Sequence, residues 1–324
     1  MKKITLLAVL ILNIVFAHAQ GLIRESWSDK PVLHKIEGKL NDESAVIILD
    51  KRRIEYIDEK EEMAVYKTLH RIVHINDDKG IEAFNRVYLP VANSEDILDI
   101  RARTILPNGK IIEVSRENIK DLKEEDDQVY KIFAMEGLEK GAEVEFYYTY
   151  KRNTGFFGTE VVQGRTPVME AIVELVSPKR LVFEMKGFNS DNKPAIETKD
   201  EKRWLSVTEK DIAGAEKEKY ASEDGNLKRF EFKLAYNTAR ATNDRLFSWD
   251  ELAKRIHRNY TTVTDKETKK VDGLVDDMKV EKLATALEKV VAVENYIKTN
   301  FTAREDIDGD DAENLERIIK TKLA

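Results

Sequence analysis

"ILDIRARTILPNGKIIEV", Ile97 to Val114, decides the fold class. Leu98, Ile100, Ala102 and Leu106 share one side of an alternating run, and Asp99, Arg101 and Arg103 share the other. Period two is the mark of a half-buried strand. "PNGK" (Pro107 to Lys110) follows, where Pro fixes φ at the first corner and Asn-Gly tolerates positive φ. "IIEV" (Ile111 to Val114) then returns, so the stretch reads as a β-hairpin.

The same logic extends from about Ser44 to Tyr236. "SAVIILD" (Ser44 to Asp50) is a short apolar strand ended by the charged Lys51-Arg52-Arg53. "AVYKTLHRIVHI" (Ala64 to Ile75) is rich in β-branched and aromatic residues. In "GLEKGAEVEFYYTYKR", Gly137 and Gly141 bracket a turn. Val144, Phe146, Tyr148 and Tyr150 then face one side, and Glu143, Glu145, Tyr147 and Thr149 the other. "TPVMEAIVELVSP" places Met169, Ala171, Val173 and Leu175 on one face. "RLVFEMKG", "KRWLSVT" and "KRFEFKLAY" read as three further strands, the last alternating Phe230, Phe232, Leu234 and Tyr236. Short strands separated by turn signals predict antiparallel β-sandwich layers, with "KRNTGFFGTE" (Lys151 to Glu160) as the place where two β-subdomains would divide.

After about Ala241 the period changes from two to that of a helix. Ser248 with Glu251 predicts a capping box. Val271, Leu274, Val275 and Met278 form one helical face; Leu283, Ala286, Leu287, Val290, Val293 and Ile297 form another. A last helix starts near Asp310, with Glu313 as a capping partner, and carries Leu315, Ile318, Ile319 and Leu323 on one face. The fold class is therefore mainly β followed by α: β-sandwich layers and then a helical lobe that reads as incomplete. That last apolar face needs a partner, so the segment after about Asp265 is expected to be the least well packed.

Composition narrows the function. Of 324 residues, 42% are hydrophobic, enough for a sizeable core. The formal net charge of -7 argues against non-specific nucleic-acid binding, which needs a basic face. "MKKITLLAVLILNIVFAHAQ" opens on Lys2 and Lys3, runs apolar from Ile4 to Phe16, and ends in Ala17-His18-Ala19. That is the pattern of a secretory signal peptide cut after Ala19. The run falls short of the roughly 20 residues a membrane span needs. Cleavage would leave a chain that does not span a membrane, exported to the periplasm, the cell envelope or the outside. Residues 1–19 are then the signal, 20–240 the β domain and 241–324 the helical segment. There is no Cys, hence no disulfide, thiol nucleophile or thiolate metal site.

Each candidate for chemistry has a plainer reading. Asp306, Asp308 and Asp310 sit at the first, third and fifth places of a calcium-type loop, but Asp311 and Arg317 stand where that loop needs Gly and Glu. A polar turn feeding an N-cap is the preferred reading. His70 and His74, four apart on a strand, lie roughly 13 Å from each other, too far to share a metal. They read as solvent-facing or rim residues, and His34 and His257 show no partner. Tyr147, Phe156, Phe157 and Trp204 would stack on sugars or grip a peptide if exposed, and the alternative is ordinary core. Asn259 and Asn300 head glycosylation sequons, which would be idle if the source is bacterial. No catalytic, cofactor-binding or metal-binding residue is assigned, and no cofactor is expected.

Three spaced elements resemble a known bacterial arrangement. They are the opening strands from Ser44 to Pro90, the hairpin from Ile97 to Val114, and "VYKIFAMEGLEKGAEVEFYYTY" (Val129 to Tyr150). Their order is similar to that of a β-rich domain of unknown function that precedes a transglutaminase-like, papain-fold domain in exported proteins. The helices from Ser248 resemble that domain's lead-in helices. The resemblance implies a catalytic Cys, His and Asp beyond helices like the last one here. No triad position carries over, so the chain as given is not expected to be an enzyme. The leading expectation is a non-catalytic β module that docks or positions a protein or cell-envelope polymer. The alternatives are a stand-alone binding protein that uses an exposed helical face, and a hydrolase built on carboxylates.

Overall fold

In a computed structural model the Ile97–Val114 stretch forms the hairpin its alternation predicts. Strand β4 (Ile97–Ile105) pairs antiparallel with β5 (Ile111–Glu113). Gly109 takes a φ of 80° at the turn, and Leu106 and Lys110 close it through backbone hydrogen bonds. The structure describes residues 21–60, 62–89, 97–118, 120–123, 129–216, 219–240, 244–304 and 314–323. The calcium-type loop and the predicted start of the last helix lie outside them. The chain divides into two compact units between Phe247 and Ser248.

The first unit is built on one eight-stranded sheet. Its order is β12 (Ala195–Lys199), β13 (Lys202–Ile212), β10 (Val168–Pro178), β1 (Ala45–Glu59), β2 (Glu62–Ile75), β8 (Glu143–Arg152), β4 and β5. β1 and β10 pair parallel, and their neighbours pair antiparallel. Two three-stranded sheets complete the layers: β11 (Leu181–Phe188), β14 (Arg229–Asn237) and β9 (Phe157–Val161); and β3 (Arg86–Leu89), β7 (Val129–Ala134) and β6 (Lys120–Lys123). The large sheet holds strands from both sides of Lys151–Glu160, so no subdomain boundary falls there.

Alternation builds the core. Ile54, Val73, Val144, Phe146, Val173 and Leu205 from one face of the large sheet pack with Phe183, Phe230 and Phe232 of one small sheet and with Leu89 and Phe133 of the other. Phe183 and Phe232 meet edge to face at 6.3 Å, the geometry that aromatic quadrupoles favour. Two details depart from the sequence reading. Met169 joins Val46, Ile48 and Ile36 in a separate cluster, while Val168 takes the place in the main core. The register of β1 slips between Ile47 and Leu49, which turns Val46 and Ile48 to the opposite face. β1 also runs on through Lys51-Arg52-Arg53 instead of ending there, for a reason given below.

The second unit contains α3 (Trp249–Thr261), α4 (Asp265–Met278), α5 (Ala286–Asn300) and α6 (Leu315–Thr321), numbered after two short helices of the first unit, α1 (Asp78–Phe84) and α2 (Glu223–Asn226). Ser248 accepts from the Glu251 N–H, but the reciprocal capping box closes at Thr264/Glu267 and Thr285/Glu288. Among the described residues of this unit, Val280 is the one buried hydrophobic. Leu315, Ile318, Ile319 and Leu323 are half-buried, with α6 packed on α4. The bare apolar face belongs instead to α5, where Leu287 is 71% exposed and Val290 63%.

Candidate functional site: a histidine–carboxylate clamp beneath an N-terminal strap

The other face of the large sheet is lined with charge, yet much of it is buried. An extended strap, Gly21 to Glu37, lies over it. In chain order its contacts step across the strands β13, β1, β2, β8 and β4. The Gly21 carbonyl accepts from Lys202 Nζ at 3.1 Å, and the Ile23 N–H donates to Glu55 at 3.0 Å. Glu25 meets Arg53 at 2.9 Å, Lys51 at 3.3 Å and His70 Nδ1 at 3.2 Å. Trp27 stands edge-on to Tyr147 at 5.2 Å, with the guanidinium groups of Arg103 and Arg101 over its ring at 4.2 and 4.7 Å. Arg103 Nη2 donates to the Ser28 carbonyl at 2.8 Å. The strap then returns to β8, where the His34 N–H donates to Glu143 at 2.7 Å.

Two knots hold it. In the first, His70 bridges two carboxylates: Glu25 from the strap, and Glu145 at 3.0 Å from Nε2. Arg103 Nε donates to the second oxygen of Glu145 at 2.7 Å. Burial alone would lower the His70 pKa, but Glu145 and Glu25 outweigh it and hold the imidazole above its ordinary value. Burial would likewise raise Glu25, but His70, Arg53 and Lys51 bring it down to about 2. In the second knot the fully buried Glu143 takes His34 Nδ1 at 3.0 Å on one oxygen and His74 Nδ1 at 3.1 Å on the other. The hydrogen bond to Glu143 raises His34 against the effect of burial. Glu143 itself sits below the carboxylate range despite its burial, because both imidazoles and the His34 N–H serve it.

This arrangement explains the length of β1. Lys51 and Arg53 point to the strap side and find Glu25 and Glu174, while Glu55 finds Lys202. A charged triplet therefore continues a strand that has buried carboxylates on each side of it. It also corrects several expectations. His70 is buried and His74 nearly so, not rim residues, and His34 has a partner in Glu143. Arg103, expected on a wet face, is 2% exposed. Of the aromatic set, Tyr147 is buried against Trp27, Phe156 stacks on Tyr56 at 6.1 Å, and Trp204 is half-buried. Phe157 alone is well exposed, edge-on to Phe247 at 6.3 Å. His257, Asn259 and Asn300 are exposed on helices.

Chemically the cluster suits holding rather than turnover. His70 has both ring nitrogens committed to carboxylates, so it bridges as a cation and offers no lone pair to a substrate proton. Among the described residues no group of three or more His, Asp or Glu is placed to hold a metal ion.

Comparison with known proteins agrees with the β unit. Residues 63–216, less than half of the chain, match the family model described as a Domain of Unknown Function with solved-structure structure (DUF3857). The crystal structure of a "putative protease" from Parabacteroides distasonis is similar in fold, with a TM-score of 0.53 and 13% identity. The match covers 87% of this chain and 56% of that one, so this chain spans little more than half its length. An M1 zinc metallopeptidase from Deinococcus radiodurans aligns over 58% of this chain and 42% of its own, at 8% identity and a TM-score of 0.34, too low to carry an argument. A search of curated proteins found no match.

Proposed function

We propose that this chain is the non-catalytic β module at the front of an exported, transglutaminase-like protein, and that it docks or positions a protein or cell-envelope partner. The observation that carries the reading is the DUF3857 match at residues 63–216, which falls within the β unit. The clamp supports it: the most concentrated set of titratable side chains on the strap side is satisfied by itself and roofed by the strap. A sequence without Cys also has no thiol for acyl transfer. Acyl-transfer and peptidase assays on the full chain test the non-catalytic part. No turnover is expected, and turnover abolished by one substitution in the β unit would overturn it. Fractionation of the source cell tests export, with a product lacking residues 1–19 in the envelope or outside as the expected result.

The bare face of α5 favours a second reading, a stand-alone binding protein that associates through its helices. Size in solution separates the two. A stable dimer that Leu287→Glu disperses would favour the second reading, and a monomer the first.

A further inference from the structure

The core-side face of the large sheet carries a second charged cluster, which the clamp does not use. Asp50 and Arg52 on β1, and Lys67 and Arg71 on β2, alternate in phase with the buried Ile54, Tyr56, Val65 and Val73. Glu160 on β9 meets them from the small sheet. Arg52 donates to Asp50 at 3.0 and 2.9 Å, and Arg71 Nη2 donates to Asp50 at 2.7 Å. Lys67 holds Glu160 at 2.7 and 2.8 Å, with Arg52 Nη1 at 3.3 Å from the same carboxylate. Burial would raise the Asp50 pKa, but the charge of Arg71 and the hydrogen bond from Arg52 keep it below the usual range, so Asp50 stays ionised.

Burial sorts the two signs. The side chains of Asp50 and Glu160 are 2% and 1% exposed, while Arg52, Lys67 and Arg71 keep 15%, 21% and 23%. The carboxylates lie beneath and the cations reach solvent. Three cations stand against two carboxylates, so the cluster has a formal excess of one positive charge. Arg71 Nε is buried and has no hydrogen-bond partner, a costly state for a charged donor. Nearby, burial raises the Tyr148 hydroxyl well above its ordinary pKa, so it remains a neutral donor beside Arg71 and Arg52.

We infer that this cluster is a binding site for one carboxylate group of an organic ligand, held chiefly by Arg71 and Lys67. A monoanion balances the excess charge, and the parts of Arg71 and Lys67 that reach solvent offer a carboxylate charge-assisted hydrogen bonds. A phosphate dianion would over-neutralise it. The inference does not depend on the docking reading. The group can come from a peptide terminus or from an acidic sugar, and the test separates these.

The test is calorimetric titration of the full chain with acetyl-dialanine, its C-terminal amide, glucuronate and glucose. An acid form is expected to bind about tenfold or more tighter than its neutral counterpart, the size of one charge-assisted hydrogen bond. Preference for acetyl-dialanine alone marks a chain terminus, for glucuronate alone a sugar, and for both a bare carboxylate site. Arg71→Met should weaken the acid about tenfold, and Lys254→Met, on α3, should leave it unchanged. Asp50→Asn releases a cation and should tighten binding several-fold, an effect opposite to that of simple damage to the fold. Equal affinity for acid and neutral forms, no binding of either acid, or an acid affinity unmoved by Asp50→Asn would overturn the inference, even if Arg71→Met does not fold.

Discussion

The two units of this chain treat charge in opposite ways. In the β unit, Arg103, Glu55, Glu143 and Glu145 lie inside, each with a buried or half-buried partner. In the helical unit the ion pairs Lys254–Asp250, Lys266–Glu316 and Lys298–Glu294 lie on the surface, every member at least 43% exposed. Buried pairs cost desolvation and tolerate one geometry, so losing one partner is severe. Exposed pairs contribute little. The β unit is therefore specified by tertiary fit. The helices are specified by local signals, their caps above all, with little burial to add to them.

The largest expected effect breaks this contrast at its strongest point. Arg103→Met leaves the buried Glu145 with His70 as its remaining partner and should destabilise the β unit by about 3–5 kcal/mol in urea unfolding. Lys298→Met, the matching change on α5, should not move the unfolding midpoint. Equal effects would erase the distinction. Next in size, Trp27→Ala removes the ring that two guanidinium groups and Tyr147 cover, at a cost of about 2–3 kcal/mol. Proteolysis should then cut first within residues 21–37, and cleavage elsewhere would show that the strap does not depend on this anchor.

A third prediction concerns pH. Glu25 and Glu143 lie below the ordinary carboxylate value of 4.5, so their contribution is present above it and fades as pH falls through their folded values, about 2 for Glu25. His34 and His70 lie above the ordinary 6.5, so their contribution is complete below it and fades as pH rises through the raised values. The strap is held best between these two limits. Trp27 emission, read with Trp204 and Trp249 replaced by Phe, should shift red on the alkaline side. Emission that stays flat from mildly acidic to alkaline pH would separate the strap from its imidazoles. Smallest, Thr264→Ala should cost α4 about 1 kcal/mol and lower the far-ultraviolet helical signal without altering the β unit.

The sequence yielded what period and turn chemistry carry. The Ile97–Val114 hairpin, the inward face of β8 and the switch to helices near Ser248 are all local patterns. The clamp was not legible, because its partners are far apart in the chain: Glu25 with His70, His34 with Glu143, Arg103 with Glu145. Alternation puts Glu143, Glu145, Arg103 and His70 on the polar faces of their strands, and nothing local announces that residues 21–37 cover them. A faint signal was present. Four neighbouring strands put both signs of charge on the same face, which a solvent-facing sheet does not require. In the helices the apolar stripe of α5 is plain in the sequence, and its exposure fits the weak packing expected after about Asp265.

Hydrogen exchange along the full chain tests the contrast between the units most directly. Amides of β1, β2, β8 and β10 should open only with global unfolding, while those of α3, α4, α5 and α6 exchange orders of magnitude faster through local opening. Protection of the Asp265–Thr321 helices at the level of the β core would contradict the account.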